Sequence, residues 1–187
     1  MKGRFSEILD EFKGKLKSVG MLIDLGANER NPKDLRLTTF NSVTLVLAAT
    51  FEEFIRQMAK EHVRLTVYLA DSISDLPSSL LEAIWVGALK ELSGNVNLIN
   101  SETKEKSLVN VVEVSRPKFE AVCNFFKGDL QQDVFNDIIH NDSNMRSAQI
   151  NRLFRIGGTT NICSELCEMG KLKLFFNIEK KRCSPIP

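Results

Sequence analysis

The stretch from Lys33 to Ala70, KDLRLTTFNSVTLVLAATFEEFIRQMAKEHVRLTVYLA, runs 38 residues without a glycine or a proline. Leu35, Phe40, Val43, Leu47, Phe51, Phe54, Ile55, Met58, His62, Leu65 and Leu69 recur along it at near-helical spacing. That pattern predicts one long amphipathic helix with these residues as its apolar stripe. A break is expected near Thr38 and Thr39, because Thr, Phe and Val form helix poorly.

Working outward, the upstream residues Phe5, Ile8, Leu9, Phe12, Leu16 and Val19 follow the i, i+3, i+4, i+7 rule of a first helix, and Asn28 to Pro32 reads as the turn between the two. Downstream, Asp75-Leu76-Pro77 predicts a third helix start. Its apolar face takes Leu80, Leu81, Ile84, Trp85, Ala88, Leu89 and Leu92, and Gly94 is expected to stop it. Asn95 to Lys106 then reads as a polar surface connection. Leu108 to Val114 fits helix or strand equally. Pro117 to Lys127 and Leu130 to Ile139 read as two short helices hinged at Gly128-Asp129. Ser147 to Ile156 reads as another, closed by Gly157-Gly158, and Asn161 to Met169 as a last one. The expectation is an all-α, single-domain helical bundle over residues 1–170. A basic, irregular tail over 171–187 follows it.

The 187 residues carry 25 Lys and Arg against 24 Asp and Glu. A uniformly basic coat for nucleic acid is thereby excluded. The charge is uneven, however, since Arg146, Arg152, Arg155, Lys171, Lys173, Lys180, Lys181 and Arg182 face only Glu165, Glu168 and Glu179 in the last quarter. Such a quarter can meet phosphate by releasing counterions. No apolar run approaches the roughly 20 residues that span a bilayer, and Glu7, Asp10 and Glu11 interrupt what a signal peptide keeps apolar. The chain therefore reads as cytoplasmic, with no membrane partner. Cys123, Cys163, Cys167 and Cys183 fit free thiols, with neither His62 nor His140 near enough in sequence to complete a zinc set. No metal or cofactor is expected.

Two histidines bound acid–base chemistry. His140 lies in the polar turn His140-Asn-Asp-Ser-Asn144-Met-Arg146, where His140, Asn144 and Arg146 can converge, or where the His simply ends one helix while Asn and Ser cap the next. Arg56 and His62 share the long helix but stand six residues apart, about 120° out of register, so they splay. Gly157-Gly158-Thr159-Thr160 lacks the strand and Lys of a phosphate loop and reads as a helix stop.

Two segments carry a family resemblance: Val43-Thr-Leu-Val-Leu-Ala-Ala-Thr-Phe-Glu-Glu-Phe54, and His140-Asn-Asp-Ser-Asn-Met-Arg-Ser-Ala-Gln-Ile-Asn-Arg-Leu-Phe-Arg-Ile-Gly157 with Asn161-Ile-Cys163. Over residues 35–167 the chain resembles the HEPN superfamily, RiboL-PSP-HEPN type. The resemblance implies a bundle of four or five core helices, often dimeric, in proteins tied to RNA cleavage, toxin–antitoxin pairs and phage defence. Active members cut RNA without metal through an Arg-x4–6-His motif, usually begun by Arg-Asn near the last core helix. There His moves the proton and Arg stabilises charge on the phosphorane. Residues 171–187 hold no His, so that Arg-Asn-x-x-x-His element is missing, and the chain is silent or its C-terminus altered or truncated. The first expectation is a non-catalytic HEPN-like module binding RNA or a cognate protein partner, with Asn144, Arg152, Arg155, Lys180, Lys181 and Arg182 on RNA. The alternatives are a metal-independent endoribonuclease using His140 with Arg146 or Arg152, or a homodimer cleft holding Arg56 and His62, and a plain helical interaction protein with no nucleic-acid role.

Overall fold

The computed structural model describes residues 2–101, 108–132, 134, 138, 139 and 145–169. They form α1 (Lys2–Ala27), α2 (Lys33–Leu69), a 3-10 turn (Ile73–Asp75), α3 (Ser78–Ser101), α4 (Leu108–Phe126), α5 (Ser147–Ile156) and α6 (Ile162–Glu168). Among the described residues there is no strand, so the chain is all-α, and none of these helices is long and apolar enough to cross a membrane.

The α1–α2 hairpin closes at Asn28 to Pro32, where side chains take up groups the helix ends leave unpaired. Asn28 Oδ1 accepts from the Arg30 N–H at 3.0 Å, and the Asn31 amide donates to the Leu25 carbonyl at 2.9 Å. Arg36 Nε donates to the Gly26 carbonyl at 3.1 Å. Gly26 is buried where the hairpin is tightest: a Cβ there would stand 3.3 Å from the Phe40 ring and from Thr39.

No break occurs at Thr38 and Thr39. The hydroxyls of Thr39, Ser42 and Thr44 fold back onto the carbonyls of Leu35, Thr38 and Phe40 at 2.8, 2.9 and 3.1 Å, which seats them within the helix. The buried row matches the expected stripe only in part, at Val43 and in the packing of Ile55. Ala59, Val63 and Val67, four residues apart, enter the core, and Thr39 and Val43 are the buried residues of the first half. Leu35, Phe40, Leu47, Phe51 and Leu69 stand exposed. The core then joins Leu76, Leu80 and Ile84 to Val122 and Phe125 of α4, to Ile139, and to Leu153 of α5. Each such large apolar side chain contributes about 1.5–3 kcal/mol of burial.

Two helices run longer than their local signals predict. α3 passes through Gly94 to Ser101, because one glycine costs only about 1 kcal/mol in a helix. α4 is a single helix from Leu108 with Pro117 inside it, held by the burial of Ser115, Val122 and Phe125. At Leu130 to Gln132, expected as helix, the chain turns instead. The Gly157-Gly158 stop is as expected: Gly157 and Gly158 donate to the Phe154 and Arg155 carbonyls at 3.1 and 3.0 Å, with Gly158 at φ +93°.

Candidate functional site

α2 positions the titratable residues, and their partners decide what they can do. Arg56 lies against Glu53 one turn earlier, and Gln57 donates to the other Glu53 oxygen at 2.6 Å. Burial would raise the Glu53 carboxyl, but the bonds from Gln57 and Arg56 outweigh it and hold it below the usual carboxylate range. The guanidinium is therefore committed to a neighbouring carboxylate.

His62 points elsewhere. It is half-buried against the α5 stop, its Nε2 3.0 Å from Thr159 Oγ1 and its ring 5.7 Å from that of Phe154. Burial pushes its pKa below the ordinary 6.5, with a backbone hydrogen bond to Gly157 opposing the shift. Thr66 ties the same place together, donating to the carbonyls of His62 and Gly157 at 3.0 and 3.2 Å. Arg56 and His62 thus have separate partners and no shared contact. A neutral imidazole sealed on a helix stop is a clamp between α2 and α5.

Glu61, the residue before His62, is only 4% exposed. Arg64 grips it with two hydrogen bonds, Nη2 to Oε1 at 2.6 Å and Nε to Oε2 at 2.8 Å, and Arg4 of α1 approaches at 3.5 Å. The Arg64 bond, ahead of the opposing effect of burial, keeps the Glu61 carboxyl ionised below its ordinary range. This triad lines a groove of about 910 Å³ with Lys60, Tyr68, Asp71 and the Gly128–Gln132 turn. Its cations and anions are mixed, so it favours no single ligand charge. Sequence reading passed over this cluster, though the Glu61–Arg64 spacing of three is a recognisable helical ion-pair signal.

Of the residues expected on RNA, Arg152 and Arg155 stand exposed on α5, and Arg146 is exposed at its N-cap. None of the three pairs with a described acidic residue. His140, Asn144, Lys180, Lys181 and Arg182 lie outside the described residues. Cys163 is tied into the α5–α6 corner, its N–H donating to Asn151 Oδ1 at 3.0 Å, while Cys167 is exposed. Among the described residues no three His, Cys, Asp or Glu side chains are grouped to hold a metal ion.

A second open feature is apolar. The first half of α2 presents Leu37, Phe40, Leu45, Val46, Leu47 and Phe51 to solvent, with Leu45 73% exposed. Residues 37–51 contain no charged side chain at all, a signal visible in the sequence. Among protein-family models, curated proteins and solved structures, none matches this chain.

Proposed function

We propose that this chain is a non-catalytic, HEPN-like helical-bundle protein that acts in the cytoplasm by binding a protein partner, within a toxin–antitoxin or phage-defence setting. The observation that carries the binding role is the arm formed by α1 and the first half of α2, whose uncharged span 37–51 leaves Leu37, Phe40, Leu45, Val46, Leu47 and Phe51 exposed. Exposed clusters of large apolar side chains mark interaction sites. The non-catalytic reading is supported by the separate engagements of Arg56 with Glu53 and of His62 with Thr159. General acid–base cleavage needs both groups at one phosphate. The full chain incubated with single-stranded RNA in a chelator is expected to leave the RNA intact. Cleavage that persists without metal and disappears in His62→Ala or His140→Ala overturns this reading.

A second reading, RNA binding, is favoured by the unpaired cations Arg146, Arg152 and Arg155. It predicts an affinity that falls with salt, and a slope reduced by about 2 in the Arg152→Glu, Arg155→Glu double variant. Binding without a salt slope removes it.

A further inference from the structure

We infer that Cys163 and Cys167 form a binding site for a soft, two-coordinate cation of the copper(I) class, held between two thiolates on one face of α6. The site uses neither the arm nor the His62 junction.

Spacing decides what the two thiols can do together. Both cysteines lie within α6, four residues apart, so their Cβ atoms stand about 5–6 Å apart on one face. The later side chain of such a pair points back toward the earlier one, which lets the two meet. A disulfide needs Cβ atoms about 3.8 Å apart, so an intact α6 keeps the sulfurs from bonding directly. An ion sets a looser condition. With metal–thiolate bonds of about 2.3 Å, a two-coordinate ion spans sulfurs about 4.6 Å apart, and the side chains lean together by only about 1 Å. The helix thus rejects the S–S bond and admits the S–metal–S bridge.

Its surroundings fix the pair and select the ion. Asn161, at φ +58°, turns the chain from the Gly157-Gly158 stop into α6. Cys163 is fastened to α5 there, its N–H donating to Asn151 Oδ1 at 3.0 Å and its thiol to the Ser147 carbonyl at 3.7 Å. Cys163 is therefore half-buried while Cys167, one turn on, is exposed, so an ion enters from solvent and is partly sheltered once bound. Burial, and after it the neighbouring Cys167, push the Cys163 thiol above its ordinary range, unlike the low-pKa thiolate of a nucleophile or peroxide sensor. Thiolate sulfur is soft and selects copper(I) over the cations that prefer carboxylate. Structural zinc takes four ligands, and among the described residues no third His, Cys, Asp or Glu groups with the pair. Entry of the ion releases one proton from each thiol to solvent, and no electron moves.

The test is an anaerobic titration of the full chain with copper(I), supplied as its complex with a coloured chelator under a phosphine reductant, and read again by native mass spectrometry. The expected result is one copper(I) per chain, taken from the chelator with helicity unchanged. Its affinity should fall at least about 100-fold in Cys163→Ser and in Cys167→Ser, more than the loss of a residue that only supports a ligand costs. Cys167 is exposed, so its variant keeps the fold even where Cys163→Ser loosens the α5–α6 corner. Cys123→Ser and Cys183→Ser should bind as the wild type does. A chain that takes no copper(I) from the chelator, or an affinity unchanged in Cys167→Ser, overturns the site. An equal loss in Cys123→Ser or Cys183→Ser adds a third ligand and overturns the two-coordinate assignment. Zinc(II) alone, carried through a desalting column by the wild type and not by Cys167→Ser, overturns the choice of a soft ion.

Discussion

Gly157→Ala tests the junction that fixes α5 on α2. A Cβ at Gly157 would lie 2.6 Å from His62 Cδ2 and 2.8 Å from Nε2, where relaxed carbon contacts sit at about 3.5–4.0 Å. The imidazole has to retreat by about 1 Å. It cannot do so freely, because Phe154 flanks the ring and Thr159 holds Nε2. Overpacking of this kind costs about 1–3 kcal/mol, and losing the Thr159 bond adds about 1. Against this, Gly157 has φ −81°, a conformation alanine adopts, so a stiffer unfolded chain returns about 0.4–1 kcal/mol. The net expectation is a loss of about 1–3 kcal/mol, a fall in Tm of several degrees for a chain this size. Urea and thermal unfolding measure it, and the double variant His62→Ala, Gly157→Ala isolates the cause. Without the ring, the alanine should stabilise. An equal loss from Gly157→Ala in the wild-type and His62→Ala backgrounds refutes the clash, and so does a neutral single variant.

Two further outcomes follow from the titrating groups on α2. His62 has a folded pKa below the unfolded 6.5, so the folded state favours the neutral ring. Its contribution is full above pH 6.5 and is lost as pH falls below that value through the depressed folded one. His62→Gln should flatten the stability-against-pH curve below pH 6.5, and an unchanged curve there contradicts the burial of the ring. Arg64→Ala leaves Glu61 buried with only the longer Arg4 contact. Because Arg64 itself is half-exposed, the cost is about 1–2 kcal/mol at neutral pH. It should shrink as pH drops below the ordinary carboxylate range, since the depressed Glu61 pKa makes its stabilisation an ionised-state property. A pH-independent loss assigns the effect to packing of the Arg64 stem.

The long helix, the turn at Asn28 to Pro32, the stop at Gly157-Gly158 and the uncharged span 37–51 were all legible in the sequence. They rest on propensity, capping and pattern, which act within a few residues. The readings that failed needed contacts from elsewhere. Gly94 and Pro117 are local punctuation: α3 passes the glycine for only about 1 kcal/mol, and in α4 the burial of Ser115, Val122 and Phe125 outweighs the roughly 3 kcal/mol cost of the proline.

The sequence alone determined that the chain is helical, because periodicity without Gly or Pro leaves few other ways to satisfy its backbone. Tertiary structure decided which sides of those helices are inside. Residues 33–70 are apolar on more than one side, so several stripes fit a helical repeat. Contact with α3, α4 and α5 chose Ala59, Val63 and Val67 and left Leu45 in the open. It also decided the role of His62, whose partner Thr159 lies 97 residues away, beyond the reach of any spacing rule.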